Sequence, residues 1–140
     1  MADRVLLSGE ARGPALVLDE PLSMWGGLDP QSGRIIDHRH PQVGETVTSR
    51  ILLMPNGRGS SSAASVIAEA IRLGTAPAAI VMTHPDDILL VGAIVAEELY
   101  GITCPVVLID RIRFDGIATG DLLAVGPDGL ECAPIGSLPG

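Results

Sequence analysis

Six consecutive residues, Gly57-Arg58-Gly59-Ser60-Ser61-Ser62, hold the densest chemistry in the chain. They follow an apolar run, Thr46–Met54, closed by Pro55-Asn56-Gly57, and precede an Ala-rich stretch from about Ala63 to Leu73. A strand before them and a helix after them would put them at a helix start. Backbone N–H groups there lack intrahelical partners, and the positive end of the helix dipole lies behind them. Gly57 and Gly59 permit tight turning and close approach of a ligand, and Arg58 adds a fixed positive charge. Such a loop suits a carboxylate or a phosphate. A serine hydroxyl in it becomes a base only if N–H donors and Arg58 hold a transient alkoxide. The plainer use of the serines is helix capping. Spacing alone leaves anion binding, capping and catalysis open. The loop is not a Walker A motif, because the chain has no Lys. Nor is it a G-x-S-x-G nucleophile elbow.

A second candidate region runs from Glu20 through Trp25-Gly26-Gly27-Leu28-Asp29-Pro30 to His40-Pro41. The only Trp lies beside a Gly pair in a polar stretch. Either the segment covers a ligand or partner surface, or Trp25 is a plug that pins a long loop onto the domain. Asp37 with His38-x-His40 could hold a metal only if extended, and solvated surface residues are the default reading. Cys104 and Cys132 read as small core residues, Asp86-Asp87 as a helix cap and Glu97-Glu98 as a solvated helix face. A Ser–His–Asp set could be drawn from Ser60 and one of His38, His40 or His84, but nothing in their order supports it.

Composition narrows the choices. The chain has 140 residues and a net charge of −8, from nine Arg and seventeen acids. That balance argues against nonspecific nucleic-acid binding, and three aromatics, Trp25, Tyr100 and Phe114, are too few for base stacking. The missing Lys removes Schiff-base and pyridoxal chemistry. Two Cys cannot make a disulfide scaffold or a self-contained metal or cluster site, and a reduced, cytoplasmic setting is the simplest expectation. No apolar run is long enough to span a membrane, and charges in the first twenty residues break any signal-peptide core. Residues 1–70 carry six Arg against eight acids, whereas residues 71–140 carry three against nine. The first half thus keeps most of the positive charge, where the unusual motifs lie.

The elements that must position these motifs follow from periodicity. Val5–Leu7, Ala15–Leu18, Thr46–Met54, Ala79–Met82 and Pro105–Ile109 read as strands. Ala63–Leu73, closed by Gly74, and about Val91–Tyr100, closed by Gly101, read as helices. Leu122–Val125 and Leu130–Ala133 flank Gly126-Pro127-Asp128-Gly129 as a hairpin. Asp19 to Gly44 reads as a long loop of the kind that is often functional, and the tail 136–140 as frayed. The order predicts one mixed α/β domain over 1–140, with a parallel central sheet and an antiparallel β layer.

Three segments together resemble a known family: EPLSMWGGLDPQSGRIIDHRHPQVG (Glu20–Gly44), ILLMPNGRGSSSAASVIAEAIRLGTAPAAIV (Ile51–Val81) and ILLVGAIVAEELYG (Ile88–Gly101). They are similar to the swivelling-domain small subunit of the aconitase X family, over nearly the whole chain. The joint presence of WGGLDP, GRGSSS and GTAPAAIV is what makes the likeness specific. The resemblance implies the aconitase-type β/β/α swivelling fold, and a dehydratase that acts only with a large subunit. It also implies that the large subunit, and not this chain, holds an iron–sulfur cluster. Members dehydrate cis-3-hydroxy-L-proline or, as archaeal small subunits, serve mevalonate 5-phosphate dehydratase. The Arg-only basic composition suggests a high-GC genome and leans the choice toward cis-3-hydroxy-L-proline.

The same resemblance assigns roles. Ser60 matches the first serine of the aconitase Gly-Ser-Ser loop and is implied as the base that removes the proton α to a carboxylate. Gly59 and Ser61 match their neighbours. Aconitase-like sequences continue with Arg where this chain has Ser62, so that carboxylate contact does not carry over, and Arg58 is the available replacement. The loop holding Trp25, Gly26, Gly27 and Asp29 is implied to sit toward the cleft between the subunits. Two other expectations stay open: a phosphoryl carrier, disfavoured because the loop holds Ser and not His, and a non-catalytic anion-binding or assembly domain.

Overall fold

The computed structural model describes residues 3–55 and 62–132. In chain order the elements are β1 (Arg4–Leu7), β2 (Ala11–Val17), α1 (Met24–Gly27), β3 (Leu28–Asp29), β4 (Arg34–Ile35), β5 (Ile51–Met54), α2 (Ala63–Leu73), β6 (Ala79–Met82), α3 (Asp87–Tyr100), β7 (Val106–Leu108), α4 (Arg111–Asp115), β8 (Leu122–Gly126) and β9 (Gly129–Cys132). Seven strands make one mixed sheet in the order β1-β7-β6-β5-β2-β8-β9. Its centre, β7-β6-β5-β2, is parallel, and both flanks are antiparallel. The run β5-α2-β6-α3-β7 supplies the crossovers that parallel pairing requires.

Alternation along the strands creates two cores. Ile51 and Leu53 of β5, with Ala79 and Val81 of β6, point into a cluster with Phe114, Leu123, Val125 and Leu130 inside the curl of the sheet. Leu52, Met54, Ile80 and Met82 point the other way, under Ile67 and Ile71 of α2 and Leu89 and Ala93 of α3. A strand buried on both faces must be apolar at every position, which is why ILLM and AIVM are uninterrupted. The curl brings β9 back toward β1. Asp3 accepts from Leu130 N at 2.9 Å and pairs with Arg113, whose other guanidinium nitrogen donates to the Leu130 carbonyl. The sheet is thus nearly closed, with side chains bridging its two edges.

Several expectations held in place and several moved. α2 runs over Ala63–Leu73 with a left-handed Gly74 after it, as the sequence suggests. α3 starts at Asp87, earlier than expected, because the Asp86 carboxylate accepts from Ile88 N and Leu89 N and so caps the helix. The strand expected over Thr46–Met54 is shortened to Ile51–Met54. Thr46 only bridges to Arg34, and Ser49 at φ 61° turns the chain. β2 begins earlier than Ala15 and changes partner midway: Ala11–Pro14 pair antiparallel with β8, and Ala15–Val17 parallel with β5. Pro14, lacking an N–H, sits at that change. A side chain at Gly13 would lie 2.6 Å from the Ser49 carbonyl oxygen.

Two corrections stand out. The stretch from Asp19 to Gly44 is not a featureless loop, since Leu22, Met24, Leu28 and Ile35 are buried in the helix-side core. Cys132 is exposed on β9 and is not a core residue, whereas Cys104 is buried. α4, only five residues long, was not legible, and Asp110 caps it by accepting from Arg113 N at 2.9 Å. The expected fray at 136–140 lies outside the described residues.

Candidate functional site

Parallel strands present their carboxyl ends on one edge, and ligands of open α/β sheets gather there. β2 ends into Asp19-Glu20, β5 into Pro55, β6 into Thr83-His84 and β7 into Asp110-Arg111. The expected site residues Arg58, Gly59, Ser60 and Ser61, with Gly57, follow Pro55 in the sequence and lie outside the described residues. What holds the two ends of that segment is visible. The Pro55 carbonyl accepts from Thr83 N (3.0 Å), His84 N (3.1 Å) and the Thr83 hydroxyl (2.8 Å). The Thr83 hydroxyl spends its one proton on Pro55, so the 3.0 Å contact with His84 Nδ1 has the imidazole N–H donating. At the other end, Ser62 occupies the N-cap position of α2 in right-handed helical dihedrals, without a side-chain capping bond. The capping role considered for the serines is therefore not filled by Ser62. By contrast, α3 is closed by the Asp86 carboxylate.

Beside Pro55 a cleft of about 200 Å³ opens, lined by Leu18, Asp19, Arg111, Phe114 and Asp115 among others. Arg111 lies over the Phe114 ring at 5.3 Å and donates through Nε to Asp115 at 3.0 Å. Asp19, Thr83 and Arg111 escape motif reading, since none belongs to a pattern, and His84 enters it only as one of three histidines for a Ser–His–Asp set that nothing in their order supports. Their shared signal is position, each directly after a parallel strand.

The Trp25 region is built differently from the plug considered for it. Trp25 (φ −72°, ψ 119°) and Gly26 (φ 78°, ψ −12°) have type II turn dihedrals, and the positive φ suits Gly26. Met24 on one side and Gly27 on the other are buried, while Trp25 is 61% exposed. Leu22 and Met24 pin the segment; Trp25 is presented outward. Asp29 folds its carboxylate back onto its own turn, accepting from the Ser32 hydroxyl (2.8 Å) and Gln31 N (3.0 Å). Those bonds, the Ser32 one first, hold its carboxyl below the usual carboxylate range.

The metal reading of Asp37, His38 and His40 is not supported by the geometry. His40 is buried, with Nδ1 accepting from Gln42 N and Nε2 donating to the Glu20 carbonyl, each at 3.0 Å. Asp37 accepts from Arg39 N at 2.9 Å. The cysteines do not fit an iron–sulfur cluster either. Cys104 is buried with its thiol donating to the Pro77 carbonyl, and burial pushes that thiol up to about 12. Cys132 is exposed, on strand β9 at the end of the strand order. Among the described residues no group of three His, Cys, Asp or Glu could hold a metal ion, and no helix is long and apolar enough to cross a membrane.

Fold and edge together define a class: a small α/β domain with a nearly closed sheet, α2 and α3 on one face, and a carboxyl edge from which a Gly- and Ser-rich connection starts. Within that class the chain belongs to the aconitase X swivel domain family, whose profile matches residues 1–131. It is 47% identical over 115 residues to a cis-3-hydroxy-L-proline dehydratase of Pseudomonas aeruginosa, a match covering 82% of this chain and 20% of that protein. The chain thus spans about one-fifth of that relative's length. It is 45% identical over 93 residues to a phosphomevalonate dehydratase small subunit of Methanothermobacter thermautotrophicus, covering 66% of this chain and 71% of the other. The crystal structure of Thermococcus kodakaraensis aconitase X in its holo form superposes with a TM-score of 0.84 at 29% identity, covering 95% of this chain and 97% of the other. The swivelling fold expected from the sequence is thereby borne out.

Proposed function

We propose that this chain is the base-bearing small subunit of an aconitase X hydro-lyase, with Ser60 as the base and cis-3-hydroxy-L-proline as the substrate. The 47% identity to the Pseudomonas aeruginosa dehydratase carries this reading. The substrate presents a carboxylate, an adjacent C–H and a hydroxyl one carbon further on. Ser60, as alkoxide, takes the proton α to the carboxylate. The C–H electron pair becomes the new double bond, the hydroxyl leaves as water by taking a proton from solvent, and Ser60 gives the abstracted proton back to solvent. Negative charge builds on the carboxylate as the C–H breaks, so fixed donors there lower the barrier. Arg58, Gly59 and Ser61, which precede α2 in the sequence, supply them. The pinning of Pro55 by Thr83 and His84 fixes where that segment starts. The outward presentation of Trp25 supports placing Trp25, Gly26, Gly27 and Asp29 toward the cleft shared with the large subunit. That subunit holds the iron–sulfur cluster, for which this chain's cysteines are unsuited.

Mevalonate 5-phosphate is the second reading. The match to the Methanothermobacter small subunit favours it, since it covers 71% of that protein. The test is to purify the complex with its large subunit and assay both acids. Ser60→Ala should lower turnover by about 10²–10⁴-fold, the usual worth of a positioned base, without weakening assembly. Turnover of the variant at the wild-type rate would return the domain to an anion-binding or assembly role.

A further inference from the structure

α3 is apolar on almost every side. Leu89, Gly92, Ala93 and Ala96 are buried beneath it. Its opposite side is apolar as well: Val91, Ile94, Val95 and Leu99 are 51%, 39%, 40% and 67% exposed. Their spacing puts them in one stripe. A helix that is apolar all round belongs to an interior, yet this one has solvent along half its surface. Beside the stripe lies a groove of about 420 Å³ between α2 and α3, lined by Ala64, Ala68, Glu69, Gly92, Val95 and Tyr100 among others. Gly92 lets α2 and α3 pack closely, and the small side chains of Ala64 and Ala68 leave the groove beside that contact open to a partner's side chains, the geometry of segment-in-groove docking.

Charge selects the occupant. α3 carries Asp87, Glu97 and Glu98 and no basic residue. The nearby Arg72 of α2 is paired with Glu69. A second copy of this chain, packed two-fold on the same stripe, would set these carboxylates against each other in a molecule of net charge −8. A partner with apolar side chains flanked by Arg or Lys fits instead. Four-fifths of the Pseudomonas relative lies outside the part that this domain matches, and that remainder has to pack on the domain somewhere. α3 leaves the carboxyl edge at Asp86 and runs back along the sheet, so a partner seated on it holds the domain beside that edge, which then faces the shared cleft. We propose that the outer face of α3 and the α2–α3 groove are the docking surface for the large subunit, which enters with an apolar segment flanked by basic residues. This rests on the reading of the chain as part of a two-subunit hydro-lyase.

The test uses the full chain and its purified large subunit. Leu99→Arg, at an exposed position that leaves thermal stability unchanged, should weaken binding about tenfold or more. Glu98→Lys should slow association and flatten its salt dependence. In the wild-type complex, amides over 91–99 should exchange more slowly than in the free chain. Wild-type affinity in Leu99→Arg, or unchanged exchange over α3, overturns this surface and leaves the two-subunit reading standing. No binding by the wild type overturns both. Concentration-dependent pairing of the chain alone, lost in Leu99→Arg, makes a second copy the occupant and also overturns the proposal.

Discussion

His40 illustrates how a residue can look functional in sequence and be structural in fact. In the His38-x-His40 spacing it resembles a ligand. In the fold it is 5% exposed and both ring nitrogens are spent on backbone, tying Glu20 at the end of β2 to Gln42. Gln42 adds to the tie, since its side chain accepts from Asp19 N and donates to the Asp19 carboxylate. The imidazole thus fastens the loop 19–44 to the carboxyl edge. A buried donor or acceptor left without a partner costs about 1–3 kcal/mol. His40→Leu should therefore destabilise the chain by that amount, read as a lower urea midpoint with unchanged slope. Midpoints equal to wild type would mean that water replaces the ring. Asp29 makes a similar point: its carboxylate, a candidate for the cleft, is satisfied by its own turn.

At the scale of elements, the sequence was readable wherever one local rule decided the outcome. α2, β6 and the β8–β9 hairpin lie within a residue of expectation, because a C-terminal glycine, a bounded apolar run and a Gly-rich turn each mark an end. It was unreadable where tertiary contacts decided. β5 loses its first half to a turn at Ser49, and β2 gains residues through pairing with β8 more than 100 positions away. The Ser60 segment was legible as a motif through its residue types, whereas the cleft residues Asp19 and Arg111 emerge only from strand order. The α2–α3 contact is another tertiary decision. A Cβ on Gly92 would sit 2.3 Å from Ile67 Cγ2 and 2.7 Å from the Ala64 carbonyl oxygen. Alanine is the better helix former by about 1 kcal/mol, but the blocking oxygen is backbone and cannot swing aside, and overpacking costs about 1–3 kcal/mol. Crowding wins in Gly92→Ala, so the variant should melt lower than wild type. A higher melting temperature would show that the helices part without cost.

The whole molecule depends on a sheet that nearly closes without a continuous ladder. β1 and β9 are the two ends of the strand order, and Asp3, Arg113 and the Leu130 backbone join them. The Asp3 side chain is 4% exposed and Arg113 39%, so one partner is desolvated and the other partly wet. A surface pair contributes about 0–1 kcal/mol, while losing one member of a buried pair costs about 3–5 kcal/mol. This clasp falls between them, because water reaches Arg113 but scarcely the Asp3 carboxylate. Asp3→Ala also enlarges the space beside Gly129, where the Asp3 side chain packs closely. The expected loss is about 2 kcal/mol, with most of it from the unpaired Leu130 N–H. Hydrogen exchange separates this from a general loosening. If the clasp closes the sheet, the Leu130 amide and β1 should exchange faster in Asp3→Ala, while β5 and β6 at the centre change only by the global loss. Uniform acceleration across all strands would mean that the edges close through packing of Val5 and Leu130 alone. Arg113 of the clasp shares α4 with the cleft residues Arg111 and Phe114, but the Pro55 carbonyl is held by Thr83 and His84 at the end of β6, so opening the clasp should leave those hydrogen bonds unchanged.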